Sequence, residues 1–130
     1  MKISDWHDRF HLQSTWTRGL RDFIFKKIGA QPGQSLLDVG SGTGALLDEY
    51  IARGFQATGL DMSLENCQFA RLHPSKSTIL HADAHQMPFK GHQFDLTVTH
   101  YVLLWVRDPA RVIAEMARVT RPGGYVIAFA

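Results

Sequence analysis

From residue 34 onward the hydrophobic pattern alternates between two spacings. Short, mostly apolar runs of four to seven residues are typical of buried strands. Between them, apolar residues recur every three or four positions, which indicates amphipathic helices. The predicted strands are residues 36–39, 55–60, 78–82, 94–100 and 125–130. Because strands that alternate with helices are joined by right-handed crossovers, the pattern predicts a doubly wound α/β fold with a parallel sheet.

The first 30 residues are predicted to form one or two helices. In residues 16–28 the apolar side chains keep helical spacing, and we expect them to pack against the sheet with the basic residues outside. The expected buried positions are Trp16, Leu20, Phe23, Ile24 and Ile28, and the expected outer positions are Arg18, Arg21, Lys26 and Lys27. Residues 1–33 are therefore predicted to be a helical segment that covers the sheet, and residues 34–130 to be the main domain.

Local signals predict the boundaries of the later helices. Ser63 is a predicted N-cap, and the helix after it must end before Pro74 because proline disfavours helical geometry in the preceding residue. Asp108-Pro109 predicts the start of another helix. Its expected buried stripe is Val112, Ile113, Met116 and Val119. Pro122-Gly123-Gly124 is expected to end that helix.

Composition excludes some classes of function. The 14 Lys and Arg residues against 12 Asp and Glu residues leave a net charge of +2, too small to indicate a nucleic-acid or membrane surface. Cys67 is the only cysteine, which excludes a disulfide within the chain and favours a reducing compartment. No segment approaches the roughly 20 apolar residues of a membrane span. We expect a soluble, cytoplasmic, single-domain protein that binds neither nucleic acid nor membrane.

Three glycines at every second position separate the first predicted strand from the helix that follows it: Gly40, Gly42 and Gly44. Glycines there let the chain turn tightly and let a ligand approach the backbone, while the free N–H groups of the helix attract negatively charged atoms. Polar residues also lie at or next to the ends of four predicted strands: Asp38, Asp61, Asp83 and His100. Because parallel strands end at one edge of a sheet, these side chains are predicted to surround a nucleotide-type ligand.

With these features the chain resembles the class I methyltransferases that depend on S-adenosylmethionine, and within them the small-molecule methyltransferases. The resemblance runs from about residue 34 to the last residue. It rests on residues 36–44, 59–63, 81–84 with 87–89, 94–96 and 118–124, in the family's order. It implies a Rossmann-like sheet of strand order 3-2-1-4-5, S-adenosylmethionine as cofactor, and methyl transfer to a small-molecule acceptor with S-adenosylhomocysteine as product.

The resemblance also implies roles for individual residues. Asp61 would accept hydrogen bonds from both ribose hydroxyls, Asp83 would accept one from the adenine amino group, and Asp38 would act near the amino end of the cofactor. Met62 and Ala84 would flank the adenine ring. The loop residues implied in cofactor binding are Gly40, Ser41, Gly42, Thr43 and Gly44. The role of Asp61 makes physical sense alone, because a carboxylate can accept from two adjacent hydroxyls through strong, charge-assisted bonds.

The acceptor pocket is expected just beyond the fourth predicted strand, where Tyr101 and Trp105 would form part of its wall. His100 is either a general base, since its unperturbed pKa lies near neutrality, or a residue that contacts the cofactor. A histidine that a relative carries beside the tryptophan is Leu104 here, which removes one candidate base. Few catalytic residues are expected, because in-line methyl transfer depends mainly on holding the nucleophile against the methyl carbon.

Two other functions stay open. Residues 40–45 also satisfy a loose G-x-G-x-x-A dinucleotide fingerprint, with Asp61 about 20 residues downstream. That fingerprint would indicate an NAD(P)-dependent or flavin oxidoreductase, but it does not explain Gly44, Asp83 or the Pro-Gly-Gly before the fifth strand. The other alternative is a methyltransferase-like domain that binds cofactor or a partner without catalysis.

The resemblance leads us to expect an exposed edge on the sheet. In the family the sheet continues past the fifth strand with a further helix and two more strands, which this chain does not contain. The fifth predicted strand is apolar, and an unpaired strand edge is a template for pairing with another chain. We therefore expect either a homodimer formed through that edge or a tendency to aggregate.

No metal site is predicted. His7 and His11 are four residues apart, which on a helix places both on one face, but no third ligand is nearby. Both histidines are therefore expected to be exposed to solvent.

Overall fold

The computed structural model describes residues 1–72 and 78–129 of the chain. Its helices are α1 (Ile3–Trp16), α2 (Arg18–Lys27), α3 (Ala45–Ala52), α4 (Leu64–Leu72) and α5 (Pro109–Val119). Its strands are β1 (Ser35–Val39), β2 (Gln56–Asp61), β3 (Thr78–His81), β4 (Phe94–His100) and β5 (Thr120–Phe129). Paired strands are parallel, in the order β3-β2-β1-β4-β5.

The predicted doubly wound α/β fold and strand order are confirmed. The predicted helix end before Pro74 and the last residue of the fifth predicted strand lie outside the described residues.

Helices cover both faces of the sheet, so neighbouring residues of one strand enter different cores. Leu36 packs with side chains of α2, α3 and α4, whereas Leu37 packs with side chains of α5. Successive strand residues point to opposite faces, which explains the continuous apolar run before the glycine loop. The parallel register places the carboxyl ends of β1, β2 and β4 side by side at one edge of the sheet.

Two predicted helix starts are confirmed. Ser63 Oγ accepts a hydrogen bond from Asn66 N at 3.2 Å ahead of α4, and Asp108 Oδ1 accepts one from Arg111 N at 3.2 Å ahead of α5. These are the bonds that satisfy the free N–H groups of a first helical turn. In α5 the predicted stripe is buried except for Ile113, which is exposed.

The predicted buried face of the N-terminal helices is only partly correct: Ile24 and Ile28 are partly buried and pack against the core, but the other three predicted positions do not. Trp16, Leu20 and Phe23 are 73%, 50% and 61% exposed, whereas Arg21, expected outside, is 0% exposed. The chain breaks between α1 and α2 at Thr17, so the apolar stripe does not run along one continuous helix. Phe25 enters the core instead, because its ring packs against Tyr50 and Phe55 at centroid distances of 6.0 and 5.3 Å. Helical spacing alone identified Ile24 and Ile28 but not the rest of the buried face.

The predicted end of α5 is also wrong. The helix ends at Val119 and β5 begins at Thr120, so Pro122-Gly123-Gly124 lies inside the strand rather than before it. Phe94 pairs with Thr120 and Leu96 pairs with Tyr125, so the intervening residues of β5 form a bulge. A bulge accommodates a proline and two glycines without interrupting the strand.

Candidate functional site

The loop between β1 and α3, residues 40–44, folds back against β2. Gly40 N and Ser41 N both donate to the carbonyl oxygen of Leu60, at 2.7 and 3.0 Å. Gly40 has a φ of 75°, and a side chain there would collide with Val102. Gly42 has a φ of 57°, and a Cβ there would enter open space. The backbone at Gly42 is therefore accessible to a ligand, as the glycine pattern predicts.

Asp61 fixes this loop in place with its carboxylate. Oδ2 accepts from Gly42 N at 2.9 Å and Oδ1 accepts from Ser63 N at 2.9 Å. A carboxylate has about four lone-pair sites, so both oxygens keep the capacity to accept from a ligand. The two backbone bonds orient the carboxylate before any ligand binds.

The polar strand ends form a row along the sheet edge. Asp83 follows β3, Asp61 ends β2, the glycine loop follows β1, and His100 ends β4. Since the strands lie in the order β3-β2-β1-β4, an elongated ligand across the edge meets these residues in that sequence. This order agrees with the arrangement expected for α/β nucleotide sites.

One cavity of about 630 Å³ extends along this row. The predicted site residues that line it are Asp38, Gly40, Ser41, Gly42, Thr43, Asp61, Met62, Asp83, Ala84, His100, Tyr101 and Trp105. Gly44 does not line the cavity; it is the N-cap of α3, with a φ of 88°. Trp105 is 85% exposed and so lies at the rim. Tyr101 has the unusual φ of 59°. Its ring packs edge-on against the His100 ring, with a distance of 4.4 Å between the ring centroids.

Helix α1 forms part of the cavity wall, whereas the sequence favoured packing of the N-terminal segment against the sheet. Phe10, Gln13 and Ser14 line the cavity. His7, expected to be exposed, is partly buried, and its Nδ1 lies 2.8 Å from Thr43 Oγ1 in the glycine loop. The helix therefore contacts the loop directly. His11 is exposed as expected.

Asp38 is buried below the cavity and is only 2% exposed. Burial, reinforced by repulsion from Asp61, raises the pKa of Asp38 to about 8, while Arg21 opposes the shift. At neutral pH the Asp38 carboxyl of the free chain is therefore mostly protonated. A cation placed beside it would favour the carboxylate.

Asp83 is held in a defined orientation by His85. Asp83 Oδ1 accepts from His85 N at 2.9 Å and from His85 Nδ1 at 2.7 Å. The backbone bond, followed by the side-chain bond, lowers the pKa of Asp83. His85 Nε2 accepts from Asp108 N at 3.1 Å, which makes Nδ1 the protonated nitrogen of a neutral ring. Asp83 is thereby ionised, with its second oxygen available to accept from a ligand.

His100 is bound to a buried polar network that sequence reasoning missed. Its Nε2 lies 2.9 Å from Thr17 Oγ1, and Arg21 Nη1 donates to the same oxygen at 2.5 Å. The Arg21 guanidinium also donates two bonds to Glu49, both at 2.7 Å. Burial, together with the charge of Arg21, lowers the pKa of His100 to about 4. The His100 ring is therefore neutral at physiological pH.

Ser41 has the property expected of a ligand contact. Its Oγ is buried and has no hydrogen-bond partner among the described residues, although the side chain lines the cavity. Buried hydroxyls are rarely left unpaired. The unpaired hydroxyl, the open space at Gly42 and the lone pairs of Asp61 together fit a polar nucleotide-type cofactor.

Most of the residues that sequence reasoning missed depend on a contact between distant segments. Arg21 and Glu49 are 28 positions apart, and Thr17 and His100 are 83 positions apart. Local spacing contains no signal for such pairs. His85 is the exception, because a histidine two residues after a strand-end acid can bond to that acid.

Two other features are absent from the part of the chain that the structure describes. Within residues 1–72 and 78–129, no group of three or more His, Cys, Asp or Glu side chains is arranged to hold a metal ion. Among the described helices, none is long and apolar enough to cross a membrane.

A cavity at the carboxyl ends of parallel strands, lined by a glycine loop and strand-end carboxylates, defines a nucleotide-type cofactor-binding α/β domain. Comparison with known proteins identifies the family. A family model described as a methyltransferase domain matches residues 37–128. A demethylmenaquinone methyltransferase of Renibacterium salmoninarum is 34% identical over 111 residues, which cover 85% of this chain and 47% of the relative. The chain belongs to the class I S-adenosylmethionine-dependent methyltransferases.

Solved structures share this fold. A SAM-dependent methyltransferase from Methanosarcina mazei has a TM-score of 0.73 and 28% identity, covering 80% of this chain and 55% of that one. The [4+2]-cyclase SpnF has a TM-score of 0.72 and 29% identity, covering 83% of this chain and 43% of that one. The chain spans about half the length of the curated relatives it matches.

Proposed function

We propose that this chain binds S-adenosylmethionine in the 630 Å³ cavity and transfers its methyl group to a small-molecule acceptor. The observation that carries the proposal is the row of Asp83, Asp61, the glycine loop and His100 along that one cavity. The bound cofactor supplies a methyl group activated by a sulfonium. The chain itself supplies binding, orientation and shielding from water.

Each part of the row suits one part of the cofactor. Asp83 accepts from the adenine amino group, with Met62 and Ala84 beside the ring, and Asp61 accepts from the ribose hydroxyls. The carboxyl of Asp38 receives the ammonium group. The remaining cofactor contacts are proposed for Gly40, Ser41, Gly42, Thr43 and His100, while Gly44 supports the loop from the N-cap of α3.

We propose an acceptor pocket at the His100 end of the row. Tyr101 and Trp105 line the cavity there, and both are exposed enough to contact an incoming molecule. One relative is named for methylation of demethylmenaquinone, which supports an acceptor that is not a nucleic acid or a protein. A soluble, cytoplasmic enzyme without nucleic-acid or membrane partners remains our expectation.

A second function is favoured by one specific comparison. SpnF shares the fold at 29% identity, yet its name describes a [4+2] cyclisation rather than methyl transfer. This similarity supports the alternative of a methyltransferase-like domain that does not transfer a methyl group. Consumption of S-adenosylmethionine in the presence of an acceptor distinguishes the two, because only a methyltransferase releases S-adenosylhomocysteine.

The proposal is tested first by thermal unfolding with ligands. S-adenosylhomocysteine at about 100 times its Kd is expected to raise the Tm by roughly 5–15 °C, since such binding stabilises by about 2.7 kcal/mol. Adenosine, which reaches only Asp61 and Asp83, is expected to give a smaller shift at the same concentration. No shift with S-adenosylhomocysteine at millimolar concentration would contradict the proposed function.

Binding is expected to release a proton from Asp38. The free chain holds this proton up to a pH of about 8, and the ligand's ammonium favours the carboxylate, so affinity should rise from pH 6 to pH 8. Calorimetry at pH 7 in two buffers of different ionisation enthalpy should give different apparent heats. Asp38→Asn, which cannot ionise, should abolish the difference. Equal heats for the unmodified chain would contradict the proposed role of Asp38.

We propose a homodimer through β5, which lies at the edge of the described sheet. Its Tyr125 and Val126 are 45% and 39% exposed. Sedimentation should show a dimer at high concentration, and Val126→Lys should give a monomer because charged side chains block edge pairing. Ile113→Lys, on the exposed side of α5, is the matched control and should remain dimeric. A monomer at all concentrations for the unmodified chain would overturn this prediction.

A further inference from the structure

The two ring nitrogens of His100 have different surroundings. Nε2 lies 2.9 Å from Thr17 Oγ1, whereas no described residue forms a hydrogen bond with Nδ1. The only buried side-chain oxygen or nitrogen atoms without a hydrogen bond among the described residues are Ser41 Oγ and Tyr50 Oη. Nδ1 is therefore not fully buried and keeps contact with solvent. Since the side chain lines the cavity, Nδ1 is the nitrogen that can meet a ligand. Its chemistry depends on whether it carries the ring proton.

The hydrogen bond from Arg21 determines which further hydrogen bonds the Thr17 hydroxyl can make. A guanidinium can only donate, so Thr17 Oγ1 accepts from Arg21 Nη1 and keeps a single proton to give. That proton can go to His100 Nε2 at 2.9 Å or to the carbonyl oxygen of Ser14 at 3.3 Å. The Ser14 oxygen already accepts from Arg21 Nη2 at 2.6 Å and from Thr17 N at 3.3 Å. Of the two possible acceptors, His100 Nε2 is closer to Thr17 Oγ1 and accepts from no other described residue, so the Thr17–His100 hydrogen bond is the better one.

The tautomer follows from this assignment. If Nε2 accepts from Thr17, the single proton of the neutral imidazole must be on Nδ1. The low pKa of His100 excludes the doubly protonated ring at neutral pH. Nδ1 is then a hydrogen-bond donor toward the cavity and has no lone pair with which to remove a proton from an acceptor.

The position of His100 indicates what it meets. Asp38 pairs with Val98 of β4, and His100 lies two residues further toward the carboxyl edge. Asp38, proposed to receive an ammonium group, and His100 are therefore on adjacent strands. An α-amino acid carries its carboxylate one carbon from its ammonium, so a donor beside Asp38 suits that carboxylate.

We propose that Thr17 and Arg21 fix His100 as the Nδ1–H tautomer, and that this N–H donates to the carboxylate of the cofactor's amino acid part. His100 is thus a binding residue and not a general base, while Thr17 and Arg21 are positioning residues. The identity of the ligand rests on the proposed function, whereas the tautomer belongs to the free chain.

The tautomer is tested by ¹⁵N NMR of the free chain, with long-range ¹H–¹⁵N correlations and with His100 assigned through His100→Gln. The protonated nitrogen is expected to be Nδ1, both in the unmodified chain and in Thr17→Ser, which keeps the hydroxyl. Thr17→Val, which lacks it, is expected to populate both tautomers. Protonation at Nε2 in the unmodified chain, or an unchanged tautomer in Thr17→Val, would overturn the assignment.

The ligand contact is tested by calorimetry with two probes, S-adenosylhomocysteine and 5′-methylthioadenosine, which lacks the amino acid part. His100→Phe, without a donor, is expected to weaken S-adenosylhomocysteine binding about tenfold or more and to leave methylthioadenosine binding unchanged. His100→Gln, whose amide can donate, should lose less. Equal effects on both probes, or none, would overturn the proposed contact. Absence of S-adenosylhomocysteine binding to the unmodified chain would instead refute the proposed function, and with it this contact.

Discussion

Replacing Asp61 by alanine is expected to weaken S-adenosylhomocysteine binding by at least about 100-fold. A hydrogen bond to a charged group contributes about 1.5–3 kcal/mol, and two ribose hydroxyls are proposed to donate to this carboxylate. The change also leaves Gly42 N and Ser63 N without the acceptor that each now has at 2.9 Å. The glycine loop therefore loses its anchor together with the ligand contact. Calorimetric titration measures the loss.

Two variants separate these effects. Asp61→Asn keeps a carbonyl oxygen for one backbone N–H but removes the charge, so it should bind more weakly than the unmodified chain and more tightly than Asp61→Ala. Asp8→Ala removes an exposed carboxylate that does not line the cavity and should leave the affinity unchanged. If Asp61→Ala retains affinity within threefold, the proposed ribose contact is wrong.

Replacing Arg21 by methionine is expected to lower the free energy of unfolding by about 3 kcal/mol. Removing one partner of a buried ion pair typically costs about 3–5 kcal/mol, because the other charge is left uncompensated. We expect the lower end of that range, since Arg53 also contacts Glu49, at 3.1 Å. The same change removes donors from Thr17 Oγ1 and from the Ser14 carbonyl oxygen. Urea unfolding followed by circular dichroism measures the difference.

A second substitution shows whether charge is the cause. Arg21→Met combined with Glu49→Leu replaces the pair by apolar side chains and should recover part of the lost stability. Arg18→Met, at an exposed position three residues away, should stay within about 0.5 kcal/mol of the unmodified chain. A cost below 1 kcal/mol for Arg21→Met would mean that the network does not stabilise the fold.

The fold could be predicted because its signals are local. The alternation of apolar runs and helical spacing predicts each strand among the described residues. The positions of Asp61 and His100 at strand ends, and of Asp83 just after β3, follow from it. The glycine loop was equally predictable, because glycines at alternate positions after a strand indicate a tight turn; Gly40 and Gly42 do have left-handed φ values in the structure.

What could not be predicted depends on contacts across the chain. An amphipathic spacing predicts a helix but does not say that Arg21 is buried, because the cost of burying the guanidinium is offset by Glu49 on another helix. Similarly, Pro122-Gly123-Gly124 has the composition of a helix stop, and only its pairing opposite β4 makes it a bulge. The pairing of Thr17 with His100 has the same origin.

Titration calorimetry of the unmodified chain with S-adenosylhomocysteine and, separately, with NAD tests the central claim most directly. Both ligands carry adenosine and could use Asp61, but only the first has the amino acid part that Asp38 and His100 are proposed to bind. We predict one-site binding of S-adenosylhomocysteine and no detectable binding of NAD. Binding of NAD alone, or of neither ligand, would contradict it.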